Sequence, residues 1–168
     1  MPEVSDPQDL SRVADRQAIS DVLHRYARAV DRLDRDLFGT CFHADAQIDY
    51  GMATGGVDDV ADTVWSMLAA LAGSHHALGT HNVELSGELA WSEIYFTATL
   101  QSRPAEPPLP DAVIKGRYID TLERRAGDWR IARRSALEDS AHLVMPSPEV
   151  SGLLLTGSRA TDDPSYDR

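Results

Sequence analysis

Residues 75–101 read HHALGTHNVELSGELAWSEIYFTATLQ, and two extended runs share this stretch. Residues 75–85 and 89–101 are rich in β-branched and aromatic side chains, and Ser86-Gly87-Glu88 between them has the composition of a tight turn. The two runs are therefore expected to pair as an antiparallel hairpin. Two more extended segments follow, residues 112–124 and 129–138, joined by Ala126-Gly127-Asp128. Residues 103–111 must be a loop, because Pro104, Pro107, Pro108 and Pro110 cannot donate to a ladder.

Upstream of residue 75 the period changes. Val13, Ile19, Val22, Leu23, Tyr26, Ala27 and Val30 recur at spacings of three and four, which predicts an amphipathic helix over residues 10–30. Asp34 is placed to cap a short helix over residues 35–41. Residues 46–50 read as a strand, Gly55-Gly56 as a break, and residues 57–71 as a second amphipathic helix carrying Val60, Val64, Trp65, Leu68 and Leu71. Helices first and antiparallel strands afterwards make an α+β domain over residues 10–145, with the helices on one side of a curved sheet. Residues 1–9 are expected to be flexible, and residues 146–168 to form a tail that is partly disordered beyond the apolar patch Leu153-Leu154-Leu155.

The chain of 168 residues, 42% of them apolar, suffices for one core but not for two typical domains. Its 16 basic and 27 acidic residues give a formal charge of −11, which opposes a phosphate backbone and argues against nucleic acid as a partner. The single Cys41 forms no internal disulfide, and the N-terminal residues lack a basic then apolar leader, so a cytoplasmic location is expected. No apolar run approaches the roughly 20 residues that span a bilayer, so no membrane partner is expected.

The run Arg16-Gln17-Ala18-Ile19 through Tyr26 and Asp31, the stretch His76-Ala77-Leu78-Gly79-Thr80 leading to Gly87-Glu88-Leu89-Ala90, and Gly127-Asp128-Trp129-Arg130-Ile131 together resemble the SnoaL-like branch of the nuclear-transport-factor-2-like superfamily. The likeness covers about residues 10–145 and implies a cone-shaped fold with a pocket in its mouth. Members it resembles include hexachlorocyclohexane dehydrochlorinase, scytalone dehydratase and bile-acid dehydratase, in which a pocket His and Asp promote elimination without cofactor or metal. The superfamily also holds isomerases, polyketide cyclases and non-catalytic binding modules, so fold alone does not choose a reaction.

The resemblance places the dyad on Asp31 and His76 and gives Tyr26 the part of a polar pocket group. A carboxylate accepting from imidazole Nδ1 fixes the tautomer, leaves Nε2 free to take a proton, and stabilises the imidazolium. Each residue has a plainer reading: Tyr26 as a core side chain, Asp31 as a surface acid at a helix end. His75, His76 and His81 cluster, but strand alternation sends His76 to one face with Leu78, Thr80 and Asn82, and the other two to the opposite face. No metal site is expected from them. On the last strand the position matching the family's pocket arginine is Ala132, and Arg134, on the same face, either replaces it or faces solvent. Phe42, Ile48, Trp65, Leu68 and Thr80 are expected to line a pocket for a small hydrophobic cyclic substrate. Trp91 and Tyr95 on the convex side of the sheet suggest a homo-oligomer, most simply a dimer. Two functions remain open: a cofactor-independent dehydratase, isomerase or cyclase working through His76, Asp31 and Tyr26, and a non-catalytic binding or assembly module.

Overall fold

The computed structural model describes residues 7–145, 157–160 and 163–166. Helix α1 (Pro7–Arg32) leads into the short α2 (Arg35–Gly39), strand β1 (Phe42–Asp49), the two-residue β2 (Thr54–Gly55) and helix α3 (Val57–Ala69). Four long strands follow: β3 (Gly73–Ser86), β4 (Leu89–Gln101), β5 (Asp111–Arg125) and β6 (Asp128–Val144). The last described element is a 3₁₀ turn, Pro164–Tyr166. The helix boundaries, β4 and both turns agree closely with the sequence reading. Strand β1 begins four residues earlier than the expected 46–50, and β6 runs six residues beyond the expected end at Glu138.

The strands form one curved, unclosed sheet in the order β2-β1-β6-β5-β4-β3. All neighbours are antiparallel except β1 and β6, which are parallel. Helix α1 lies against β3 and β6. Its inner stripe Ile19, Val22, Leu23, Tyr26 and Val30 is buried, which at about 1.5–3 kcal/mol per large side chain holds helix to sheet. Val13, included in that stripe from its spacing, is solvent-exposed because the helix there has run past the sheet's cover. Leu33 ends α1 with φ at 54°, a left-handed position usually given to glycine. Asp34 then accepts the Leu37 N–H at 2.9 Å and starts α2, so the cap is where the sequence placed it.

Besides the register shift between Phe42 and Gln47 on β1, three single-residue bulges bend the sheet. An extra residue sits in β3 between Leu78 and His81, and β6 carries one at Ala132 and another at Asp139. Each flips the alternation of the residues beyond it and adds local twist. Gly116 faces Phe96 across β4 and β5, and a Cβ there would collide with the Leu137 carbonyl and the Phe96 ring. The bare backbone lets Phe96 lie flat and stack on Tyr118 at 4.4 Å.

In the C-terminal region the Leu153 patch and residues 146–156, 161–162 and 167–168, like residues 1–6, lie outside the described residues, while residues 157–160 and 163–166 pack against the end of α1. The Tyr166 hydroxyl donates to Asp34 at 2.9 Å, Arg32 donates to the Ser158 carbonyl at 2.9 Å, and Arg28 covers the Tyr166 ring. A polar segment docks here because α1 presents a row of arginines that its carbonyls, carboxylate and ring can satisfy.

Candidate active site

Asp31 occupies the last turn of α1, and His76 points inward from β3 beside it. His76 Nδ1 lies 2.7 Å from Asp31 Oδ1, and the His76 backbone N–H donates to Oδ2 at 2.8 Å. Both carboxylate oxygens are thus engaged by one residue, which fixes the carboxylate plane and the ring's position. The side chains are only 10% and 16% exposed, so solvent competes weakly for these bonds. With Nδ1–H donated to the carboxylate, Nε2 is the basic nitrogen left for a ligand.

The ring forms part of the wall of a cavity of about 200 Å³. Val30, Leu68, Phe96, Ala98 and Ile114 supply apolar lining, while Tyr26, Tyr50, Tyr118 and Glu138 supply the remaining polar groups. Tyr26 and Tyr50 hydroxyls are 2.8 Å apart. Burial pushes the Tyr26 hydroxyl above the usual phenol range, against the lowering influence of Arg134, and burial lifts Tyr50 and Tyr118 well above it. All three therefore stay protonated near neutrality and act as hydrogen-bond donors.

Beneath these rings lies a charge the cavity does not touch. Arg134 donates through Nε and Nη2 to the two oxygens of Asp120, both at 2.7 Å, with both side chains at 0% exposure. Its guanidinium sits 4.1 Å from the Tyr26 ring centroid and 4.3 Å from that of Tyr118. Among the described residues Arg134 Nη1 is the buried side-chain atom without a hydrogen-bond partner, and the flanking aromatic faces take its place. Burial works against this cation, but the Asp120 carboxylate keeps it charged.

The expected site residues thus separate into groups. His76, Tyr26 and Leu68 line the cavity, and Asp31 stands behind His76. Arg134 neither lines the cavity nor faces solvent: the extra residue at Ala132 turns it inward, under the tyrosines. Ile48 and Phe42 are core residues, and Trp65 packs on Phe38 while its indole N–H donates to the Leu33 carbonyl. Thr80 is exposed, because the bulge in β3 takes it off the His76 face. The same bulge turns His81 inward, where its Nε2 lies 3.0 Å from the buried Ser92 hydroxyl. Desolvation lowers the His81 pKa. Among the described residues no three His, Cys, Asp or Glu side chains gather around a point that would hold a metal ion.

Sequence reasoning missed Tyr50, Tyr118 and Asp120. Counting back from the Ala126-Gly127 turn pairs Asp120 with Arg133, and only the extra residue in β6 brings it opposite Arg134. Tyr118 shares alternation with Asp120 and Leu122, all buried, and that inward row was legible in the sequence.

The family model for the SnoaL-like domain matches residues 11–135. Among solved structures, the hexachlorocyclohexane dehydrochlorinase LinA-type3 of Novosphingobium barchaimii LL02 superposes with a TM-score of 0.74 at 20% identity, covering 86% of this chain and 99% of that one. A protein described as a candidate scytalone dehydratase from Novosphingobium aromaticivorans DSM 12444 gives 0.70 at 18% identity, covering 84% and 97%. A protein of unknown function with a cystatin-like fold from Nostoc punctiforme PCC 73102 gives 0.60 at 19%, covering 75% and 92%. These identities establish a shared fold. A search of curated proteins finds no match to the sequence.

Proposed function

The chain belongs to the SnoaL-like domain family, and on that premise we propose that it is a cofactor-independent lyase of the dehydratase type. The observation that carries the reading is the 2.7 Å contact of His76 Nδ1 with Asp31, made by a residue that also lines a mostly apolar cavity. In the proposed reaction Nε2 removes a proton next to a carbonyl, and Asp31 stabilises the imidazolium so formed. Tyr26, bonded to Tyr50, donates to the carbonyl oxygen as negative charge develops there. The buried Arg134 lowers the cost of that charge through the tyrosine rings. The proton held by His76 passes to the departing hydroxyl group, which leaves as water, and the electron pair of the broken C–H bond becomes the new C=C bond. Isomerisation or cyclisation would follow from the same enolate by returning the proton or closing a ring.

The cavity favours a small cyclic hydroxy-ketone. Its volume of about 200 Å³ is below the roughly 300 Å³ where pockets for drug-sized ligands begin, which suits one or two rings better than a four-ring skeleton. A homo-oligomer is also proposed, because Trp91 and Tyr95 are 41% and 43% exposed on the outer face of β4. We propose a cytoplasmic location on the single cysteine, Cys41, which forms no internal disulfide. Among the described residues no helix is long and apolar enough to cross a membrane.

The test is a product assay with one- and two-ring β-hydroxy-ketones in the presence of excess chelator. Formation of the unsaturated ketone, undiminished by chelation, supports the lyase. Saturable binding of these compounds without any turnover would move the assignment to a ligand-binding module.

A further inference from the structure

The guanidinium of Arg159 bridges three elements at once. Its Nε donates to the backbone carbonyl of Asp31 at 3.1 Å, Nη1 to the carbonyl of Leu68 at 3.0 Å, and Nη2 lies 3.2 Å from the Ser74 hydroxyl. Asp31 is in the last turn of α1, Leu68 in the last turn of α3, and Ser74 is two residues before His76 on β3. The last carbonyls of a helix lack intrahelical partners and carry partial negative charge, so a cation there is favoured twice, by hydrogen bonding and by the helix dipole. One planar fork meets both helix ends, and only an arginine has the spread of donors to do so.

We propose that Arg159 is a positioning residue for the His76–Asp31 pair. It holds the main chain of the residue carrying the carboxylate, the strand carrying the imidazole, and Leu68 of the cavity wall in one frame. This rests on the reading of that pair as the acid–base centre. The segment bearing Arg159 is itself secured: Asp163 accepts the Ser158 N–H at 2.8 Å and pairs with Arg32 at 3.7 Å, and Arg28 donates to Ser165 at 3.2 Å. Arg103 supplies a built-in contrast. It donates to the carbonyls of Ala69 and Ala70 at 2.8 and 3.0 Å, and so caps α3, with no hydrogen bond to Asp31 or β3 among the described residues.

The experiment compares the full-length protein with Arg159→Met, Arg159→Lys and Arg103→Met. Proton–nitrogen NMR on histidine-labelled protein reads exchange of the His76 Nδ1–H with water, and turnover of a cyclic β-hydroxy-ketone reads chemistry. Arg159→Met is expected to speed that exchange at least about tenfold and to lower kcat roughly 10- to 100-fold with a smaller change in KM, as misplacement of a catalytic pair does. Arg159→Lys should recover part of both losses, since its single ammonium keeps the charge but cannot span three acceptors. Arg103→Met should match wild type in both. Wild-type exchange in Arg159→Met would overturn the proposal and leave Arg159 as an anchor of its own segment. If no ketone turns over yet Arg159→Met still frees the Nδ1–H, the positioning role stands and the lyase reading falls. If Asp31→Asn leaves the resonance unchanged, both fall.

Discussion

Arg134 and Asp120 meet in a two-pronged ion pair at 2.7 Å with neither side chain reaching solvent. Such a pair is costly to desolvate and more costly to break, because removing one partner strands the other charge in the interior. Asp120→Ala is therefore expected to destabilise the fold by about 3–5 kcal/mol. The double replacement Asp120→Leu with Arg134→Met should cost less than the single change. Urea unfolding midpoints of the two variants decide this, and a loss under about 1 kcal/mol in Asp120→Ala would contradict the buried pair.

Gly116 is needed for its missing side chain. A methyl group there meets the Leu137 carbonyl and the Phe96 ring, so Gly116→Ala should cost about 1–3 kcal/mol, the range for overpacking. Because Phe96 lines the cavity, the same variant should weaken ligand binding. Thermal denaturation together with a binding isotherm checks both effects, and an unchanged melting temperature would show that the strands can separate freely at this point.

Docking of residues 157–160 and 163–166 has a definite acid limit. Hydrogen bonds from Ser165 and Ser158 hold the Asp163 carboxyl down to about 2. A carboxyl depressed in the folded state contributes stability that is complete above its ordinary value of 3.8 and is lost as pH falls through about 2. The protection factor of the Ser158 amide against hydrogen exchange should therefore stay high at pH 5 and fall between about 4 and 2. In Asp163→Asn it should already be low at neutral pH.

Much of the fold was legible because it rests on local signals. The three- and four-residue spacing of Ile19, Val22, Leu23, Tyr26 and Val30 fixed α1, the Asp34 carboxylate fixed the start of α2, and Gly87 and Gly127, with φ at 60° and 92°, marked turns that need glycine. What the sequence did not show were the single extra residues in β3 and β6. A bulge has no composition of its own, yet each one reverses every later side chain. That is why Thr80 was expected inward and His81 outward, the reverse of their positions, and why Arg134 was given to the pocket or to solvent rather than to Asp120. The docking of Arg159 was hidden for another reason. Its partners are main-chain carbonyls at helix ends and a distant serine, none of which leaves a pattern in a polar C-terminal segment.

In the proposed mechanism His76 acts as a base with Asp31 behind it. The direct measurement is the rate at which deuterium from solvent enters the carbon next to the carbonyl of a bound cyclic β-hydroxy-ketone, followed together with loss of water, in wild type, His76→Gln, Asp31→Asn and the double variant. A positioned general base contributes roughly 10²- to 10⁴-fold, so His76→Gln should lower both rates by that factor while binding changes little. Asp31→Asn should be comparably severe, since an amide can offer its own N–H to Nδ1 and select the wrong tautomer. The double variant should be scarcely slower than either single one, as for two residues that act as a unit. Near wild-type exchange and turnover in His76→Gln would contradict the account.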